Sequence, residues 1–196
     1  MHRSQIEWVR NPVSETLGWV WNPHEPIVNK GIVNKGIFVM SDIFGIPEDW
    51  TRRVMDTITA CSLHRFYLLT SQPQNLIKFK FPDNCWVGVS VTDNVMFLRA
   101  IRYLYEVEAR IKYISFEPLL AQLYQPAIES LLLQAGINQV IIGAGTKPPL
   151  KIWVDEIIEA CKRAAIPYFL RENLRPLMGS DLVQALPRVT GKDGGK

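Results

Sequence analysis

Cysteine is scarce in this chain and poorly spaced for a structural or metal-binding role. Cys61, Cys85 and Cys161 are odd in number and far apart, which suits reduced structural thiols rather than a disulfide framework. Strong net charge is also missing. Basic and acidic side chains number 22 and 19, and a net charge of +3 gives no electrostatic case for nucleic acid. No run of about 18 apolar residues occurs, so no membrane span is expected. The start, Met1-His2-Arg3-Ser4-Gln5, lacks the apolar core of a secretory signal, and a cytoplasmic location is expected. His2, His24 and His64 form no metal-ligand spacing. Nucleophile elbow, P-loop and G-x-G-x-x-G are all absent, and Gly143-x-Gly145 alone is a weak signal.

What is present is repetition. The chain has 196 residues and is 47% hydrophobic, enough for a well-covered core. An N-terminal segment and connector occupies 1–35. It holds Trp8, Trp19 and Trp21 and a tandem Ile27–Gly31 and Ile32–Gly36 duplication too short for a solenoid. From 36 to 178 an apolar run, a polar exit and a helical stretch alternate. Runs at Ile37–Met40, Arg65–Thr70, Cys85–Val91, Ile111–Phe116, Gln139–Ile142 and Pro167–Asn173 read as strands buried on both faces. Helices are expected from Pro47 with Trp50, Val54, Ile58 and Cys61 inward, and after Thr92-Asp93 with Met96, Leu98, Ile101 and Leu104 inward. Two more are expected, over Pro118 to about Gln134 and over Pro149–Ala165. The tail, 179–196, is expected to be flexible, since Arg188–Lys196 has too little apolar content to fold. Such alternation predicts an α/β chain with about six parallel strands, wound as a barrel or an open sheet.

In parallel α/β folds chemistry gathers at the carboxyl ends of strands. Those exits carry Ser41 and Asp42, Thr70 and Ser71, Ser90, Ser115 and Glu117, Gly143 and Gly145, and Arg171. Asp and Ser at such places also cap the next helix. Glu117 and Arg171 need a partner or water, and each other is one such partner.

Eight modest motifs in order carry a resemblance. They are Ile6-Glu7-Trp8, Trp21-Asn22-Pro23, Met40-Ser41-Asp42-Ile43-Phe44, Leu69-Thr70-x-x-Pro73, Trp86-Val87-Gly88-Val89-Ser90-Val91, Ser115-Phe116-Glu117-Pro118-Leu119, Ile141-Ile142-Gly143 and Pro167-Tyr168-Phe169-Leu170-Arg171. Together they resemble the bacteriophage gene-product-37/68 family, which is similar to radical S-adenosylmethionine enzymes. The resemblance implies a partial (β/α) barrel of the radical-enzyme type, with S-adenosylmethionine on a [4Fe–4S] centre held by three cysteines after Trp-Asn-Pro. This chain departs there: Trp21-Asn22-Pro23 runs into His24-Glu25-Pro26, with no cysteine before Cys61. No cofactor is therefore expected. Twelve residues, His24 to Lys35, then lead to the next strand, so the first crossover helix is expected to be missing. Ser71 and Gln72 stand where the family tends to be basic.

Three readings stay open. One is a degenerate barrel keeping a small nucleotide-like ligand at the rim, on Ser90, Ser115, Gly143, Gly145, Arg171 and Glu117. Another is a non-catalytic module that binds a protein partner or a second copy. The third is a metal-free enzyme using Glu117 and Asp42 as acid and base.

Overall fold

The computed structural model describes residues 39 and 42–187, with the backbone alone at 8–9, 20–21 and 36–38. Met40, Ser41, the connector with its duplication, where the first crossover helix is expected to be missing, and the residues from 188 onward lie outside the described residues. The chain forms two compact units. One comprises Met1–Val89 with Val107–Ile111, the other Ser90–Glu106 with Lys112–Lys196.

In the first unit β1 (Trp8–Val9) and β2 (Val20–Trp21) pair antiparallel. β3 (Gly36–Phe38), β4 (Arg65–Thr70) and β5 (Cys85–Ser90) pair in parallel, with Ile37 opposite Phe66 and Tyr67 opposite Trp86. Between β3 and β4 runs α1 (Glu48–Ala60). Its buried stripe is Thr51, Met55 and Ile58; Ile58 lies inward as expected, while Trp50, Val54 and Cys61, also expected inward, do not. Thr51 Oγ1 donates to the Ile43 carbonyl at 2.5 Å, and this turns the first helical turn so that Trp50 and Val54 are half-buried.

The second unit contains α2 (Asn94–Glu106), β6 (Ile111–Phe116, from Lys112 on), α3 (Ile128–Gln134), β7 (Gln139–Ile142), α4 (Lys151–Arg163) and β8 (Tyr168–Leu170). β6, β7 and β8 pair in parallel. Asp93 caps α2 as expected, its Oδ1 accepting from the Met96 amide at 2.9 Å. The buried face of α2 is Phe97, Ala100, Ile101 and Leu104, an i, i+3, i+4, i+7 set. Met96 and Leu98 were expected inward, yet Leu98 is 41% exposed and Met96 half-buried. Phe97 wins the inward place because its ring packs on Phe116, centroids 6.0 Å apart.

The helix expected from Pro118 is shorter than predicted. It begins only at Ile128, because Pro126 has no N–H for an interior helical bond and pushes the residue before it out of helical geometry. Residues 118–127 form a loop instead, anchored by buried Leu119 and Leu123. α3 then ends as the sequence predicts, on Gly136 at φ +67°. The Gly136 amide reaches Leu133 O and the Ile137 amide reaches Leu132 O, the two bonds of a Schellman cap. α4 buries Val154, Ile157, Ile158 and Cys161 as expected. It ends in the same bond pattern, but with Ala165 at φ +52°.

Within each unit, parallel strands alternate with helical segments, so the chain is α/β. The uninterrupted burial of Cys85–Val89 and Tyr113–Phe116 is what strands covered on both faces require. Beyond Met178 the chain returns along β8. Leu170 N donates to Val183 O at 2.8 Å and Ala185 N to Tyr168 O at 3.1 Å. Among the described residues no helix is long and apolar enough to cross a membrane.

Candidate functional site

The register of the second unit's sheet builds the site. Phe116 stands opposite Ile142, and Ile142 opposite Leu170. The next residues, Glu117, Gly143 and Arg171, therefore leave three neighbouring strands at one level. The ladder continues one step into them, with Gly143 N on Phe116 O at 2.9 Å and Arg171 N on Ile142 O at 2.8 Å.

Gly143 has no side chain at the middle exit, and the Glu117 side chain lies across it. Arg171 Nε donates to Glu117 Oε1 at 3.2 Å, the two side chains being 49% and 26% exposed. An ion pair this open to water contributes about 0–1 kcal/mol to stability, too little to explain a charge at each of two buried strand ends. The pair is also only half used. Among the described residues, Glu117 Oε2 and the two terminal nitrogens of Arg171 carry no hydrogen bond. The free carboxylate oxygen suits a ligand's donor, and the guanidinium edge suits a carboxylate or phosphate.

Asn173 completes the arrangement, and the sequence reading missed it. Its Oδ1 accepts from the Ala144 amide at 3.0 Å and its Nδ2 donates to the Ala144 carbonyl at 2.8 Å. The same Nδ2 lies 3.5 Å from Glu117 Oε1. A carboxamide is the side chain that imitates a peptide group, so Asn173 fixes the β7 exit where a further strand residue would have done so. A tight turn over Glu172–Leu174, not the expected continuation of the strand, brings it back.

Gly145 packs close to this exit, where a Cβ would stand 2.8 Å from Pro118 Cβ. Ser115 is buried in β6, two residues short of the rim, and its carbonyl holds the Val91 amide at 2.8 Å. Ser90 ends β5, half-buried. Neither serine hydrogen-bonds to Glu117 or Arg171 among the described residues.

Asp42 belongs to the first unit, and both of its oxygens are engaged there. Oδ1 accepts from the Phe44 amide at 3.1 Å and from Thr70 Oγ1 at 2.7 Å. Oδ2 accepts from Ser71 N at 3.1 Å and Ser71 Oγ at 3.3 Å. Asp42 thus starts the turn Ile43–Gly45 and ties it to the end of β4, the capping role that strand-exit aspartates often take.

An iron–sulfur centre does not fit these residues. Cys85 and Cys161 are buried, and desolvation pushes both thiols up to about 12. The Cys61 thiol is raised for the same reason. A cluster of this kind needs at least three cysteine sulfurs at one place, and Cys61 follows α1, Cys85 opens β5 and Cys161 lies inside α4. Among the described residues no three His, Cys, Asp or Glu side chains converge on a common point.

A family model described as a protein of unknown function, DUF5131, matches residues 4–178. The chain belongs to the DUF5131 family. No curated protein and no solved structure matches the DUF5131 chain. The matched residues hold Asp42, Glu117, Gly143, Arg171 and Asn173, so the candidate site of this DUF5131 chain lies within the family's span.

Proposed function

We propose that this chain is a cluster-free, radical-S-adenosylmethionine-like barrel of the bacteriophage gene-product-37/68 type that binds a small nucleotide-like ligand at its strand exits. The observation that carries the reading is the half-used Glu117–Arg171 pair at 3.2 Å, held across Gly143 at three aligned strand ends. In this reading Glu117 accepts a hydrogen bond from the ligand, Arg171 binds its anionic group, and Asn173 holds the β7 exit in place. No redox step is assigned, because the thiols present do not suit a cluster.

The test is anaerobic reconstitution with iron and sulfide, followed by calorimetric titration with S-adenosylmethionine. The reading expects substoichiometric iron and heat from the ligand whether or not iron was added. Stoichiometric iron overturns the cluster-free part, and absence of heat in both preparations overturns the ligand site.

A second reading, an interaction module, is favoured by exposed apolar side chains on the segments after β6 and β7. Leu120, Tyr124 and Ile152 are 62%, 74% and 65% exposed. A stable dimer by light scattering, with no ligand heat, would favour it.

A further inference from the structure

The sequence predicts a flexible tail from 179, yet part of it is paired with the strand that leads to Arg171. Phe169 and Gln184 stand opposite one another in an antiparallel bridge. On either side of that bridge Leu170 N donates to Val183 O at 2.8 Å and Ala185 N to Tyr168 O at 3.1 Å. Residues 183–185 therefore lie along β8 as a further edge strand. Carboxamides reinforce the pairing. Gln184 Nε2 donates to the Leu170 carbonyl at 3.1 Å, and Gln139 Nε2, from the first residue of β7, donates to the Ala185 carbonyl at 3.3 Å. Gln139 is 1% exposed. A buried amide is costly to place unless it makes hydrogen bonds, and the bond it makes is to this segment.

The consequence falls on Arg171. Leu170 is wholly buried, so its N–H and C=O need partners, and Val183 O and Gln184 Nε2 are those partners. The next residue turns its backbone the other way. Arg171 N donates to Ile142 O at 2.8 Å, and Arg171 O accepts from Leu174 N at 2.9 Å. Four hydrogen bonds thus fix the backbone of Leu170 and Arg171, and two of them come from the C-terminal segment. The Arg171 guanidinium reaches Glu117 at 3.2 Å, the long end of the hydrogen-bond range. A contact of that length tolerates little movement of the backbone that carries it.

We propose that residues 183–185 are a clamp that sets Arg171 against Glu117, with Gln184 as its positioning residue. The proposal rests on the reading of that pair as a ligand site. Affinity at the strand exits is then governed from the outer edge of β8, and whatever draws the C-terminal segment away from that edge weakens the site. Gln184 does not touch the ligand. It acts through Leu170, one residue before Arg171.

The experiment uses the full chain and three variants. Gln184→Met keeps the side chain's length and removes the donor, Gln184→Lys restores a donor, and Ala185→Pro removes the amide that bonds Tyr168. Exchange of the Arg171 Nε–H is followed by NMR, its signal assigned by its loss in Arg171→Ala. S-adenosylmethionine affinity is measured by calorimetry, and a thermal melt confirms that each variant is folded. Gln184→Met and Ala185→Pro should each speed the Nε–H exchange about fivefold and weaken the ligand by a similar factor, the worth of one ordinary hydrogen bond. Gln184→Lys should return both towards wild type. If Ala185→Pro fails to fold, the Gln184 variants decide. Unchanged Nε–H exchange in the folded variants overturns the clamp, since a merely stabilising tail would lower the melting temperature and leave Arg171 as it is. Faster exchange with undiminished ligand affinity overturns it as well. Absence of ligand heat in the wild type overturns the ligand reading alone, and the Nε–H signal then decides the clamp.

Discussion

Gly143 and Glu117 are fitted so closely that a Cβ on Gly143 would stand 2.7 Å from the Glu117 carboxyl carbon and 2.8 Å from its Cγ. Real Cβ atoms do not approach so near, and both ends of the Glu117 side chain would have to move. Gly143→Ala should therefore cost about 1–3 kcal/mol by overpacking, read as a shift in urea midpoint. Glu117→Ala in the same chain should recover most of that loss, because it removes the atoms that collide. Additive effects in the double variant would contradict the fit.

Ala165 poses the opposite case, a side chain where glycine belongs. It closes α4 at φ +52°, a left-handed conformation that costs an ordinary residue about 1–2 kcal/mol. Glycine adopts it freely but loses more entropy on folding, by about 0.5–1 kcal/mol. The balance predicts that Ala165→Gly stabilises by up to about 1 kcal/mol, seen as a higher melting temperature. A lower one would contradict it.

Asp42 should behave as a structural residue. Asp42→Ala strands the Phe44 and Ser71 amides and the Thr70 hydroxyl. A loss of about 2–4 kcal/mol is expected from broken bonds to a charged acceptor, measured by denaturant unfolding. A stable Asp42→Ala protein would show that the first unit's turn is held by something else.

The buried thiols give a pH dependence with a definite sign. Cys85 and Cys161 start from 9.0 and are pushed up to about 12 in the folded chain. The unfolded chain therefore releases their protons first as pH rises. Their contribution is fully present below about 9 and is lost progressively between 9 and 12. Urea midpoints at pH 8, 9 and 10 should fall, and fall less in Cys85→Ala relative to that variant's own midpoint at pH 8. At pH 8 a thiol reagent should modify half-buried Cys61 well before the other two, and all three in urea. Rapid reaction of all three without denaturant would contradict the burial.

How far the fold could be read from residues varied with what decided each feature. β4 and α4 were legible because long apolar runs and a clear helical stripe leave few alternatives. The faces of α1 and α2 were misjudged by about one residue, since a hydrogen bond from Thr51 and a ring contact at Phe97 chose among neighbouring apolar positions. The loop at 118–127 was missed by reading through Pro126. Glu117, Gly143 and Arg171 were legible as strand exits, and their alignment follows from the register. Asn173 was not legible, because its role depends on a turn that carries no strong sequence signal. Asp42 showed the ambiguity of strand-exit carboxylates, which only its bonding partners resolve.

Comparing S-adenosylmethionine binding in the wild-type chain with that in Arg171→Ala and Glu117→Ala tests whether Glu117 and Arg171 form a ligand site. Measurable heat is expected in the wild type and a loss of at least about tenfold in each folded variant, since bonds to charged groups are the strong ones. Wild-type affinity retained in both variants would contradict it.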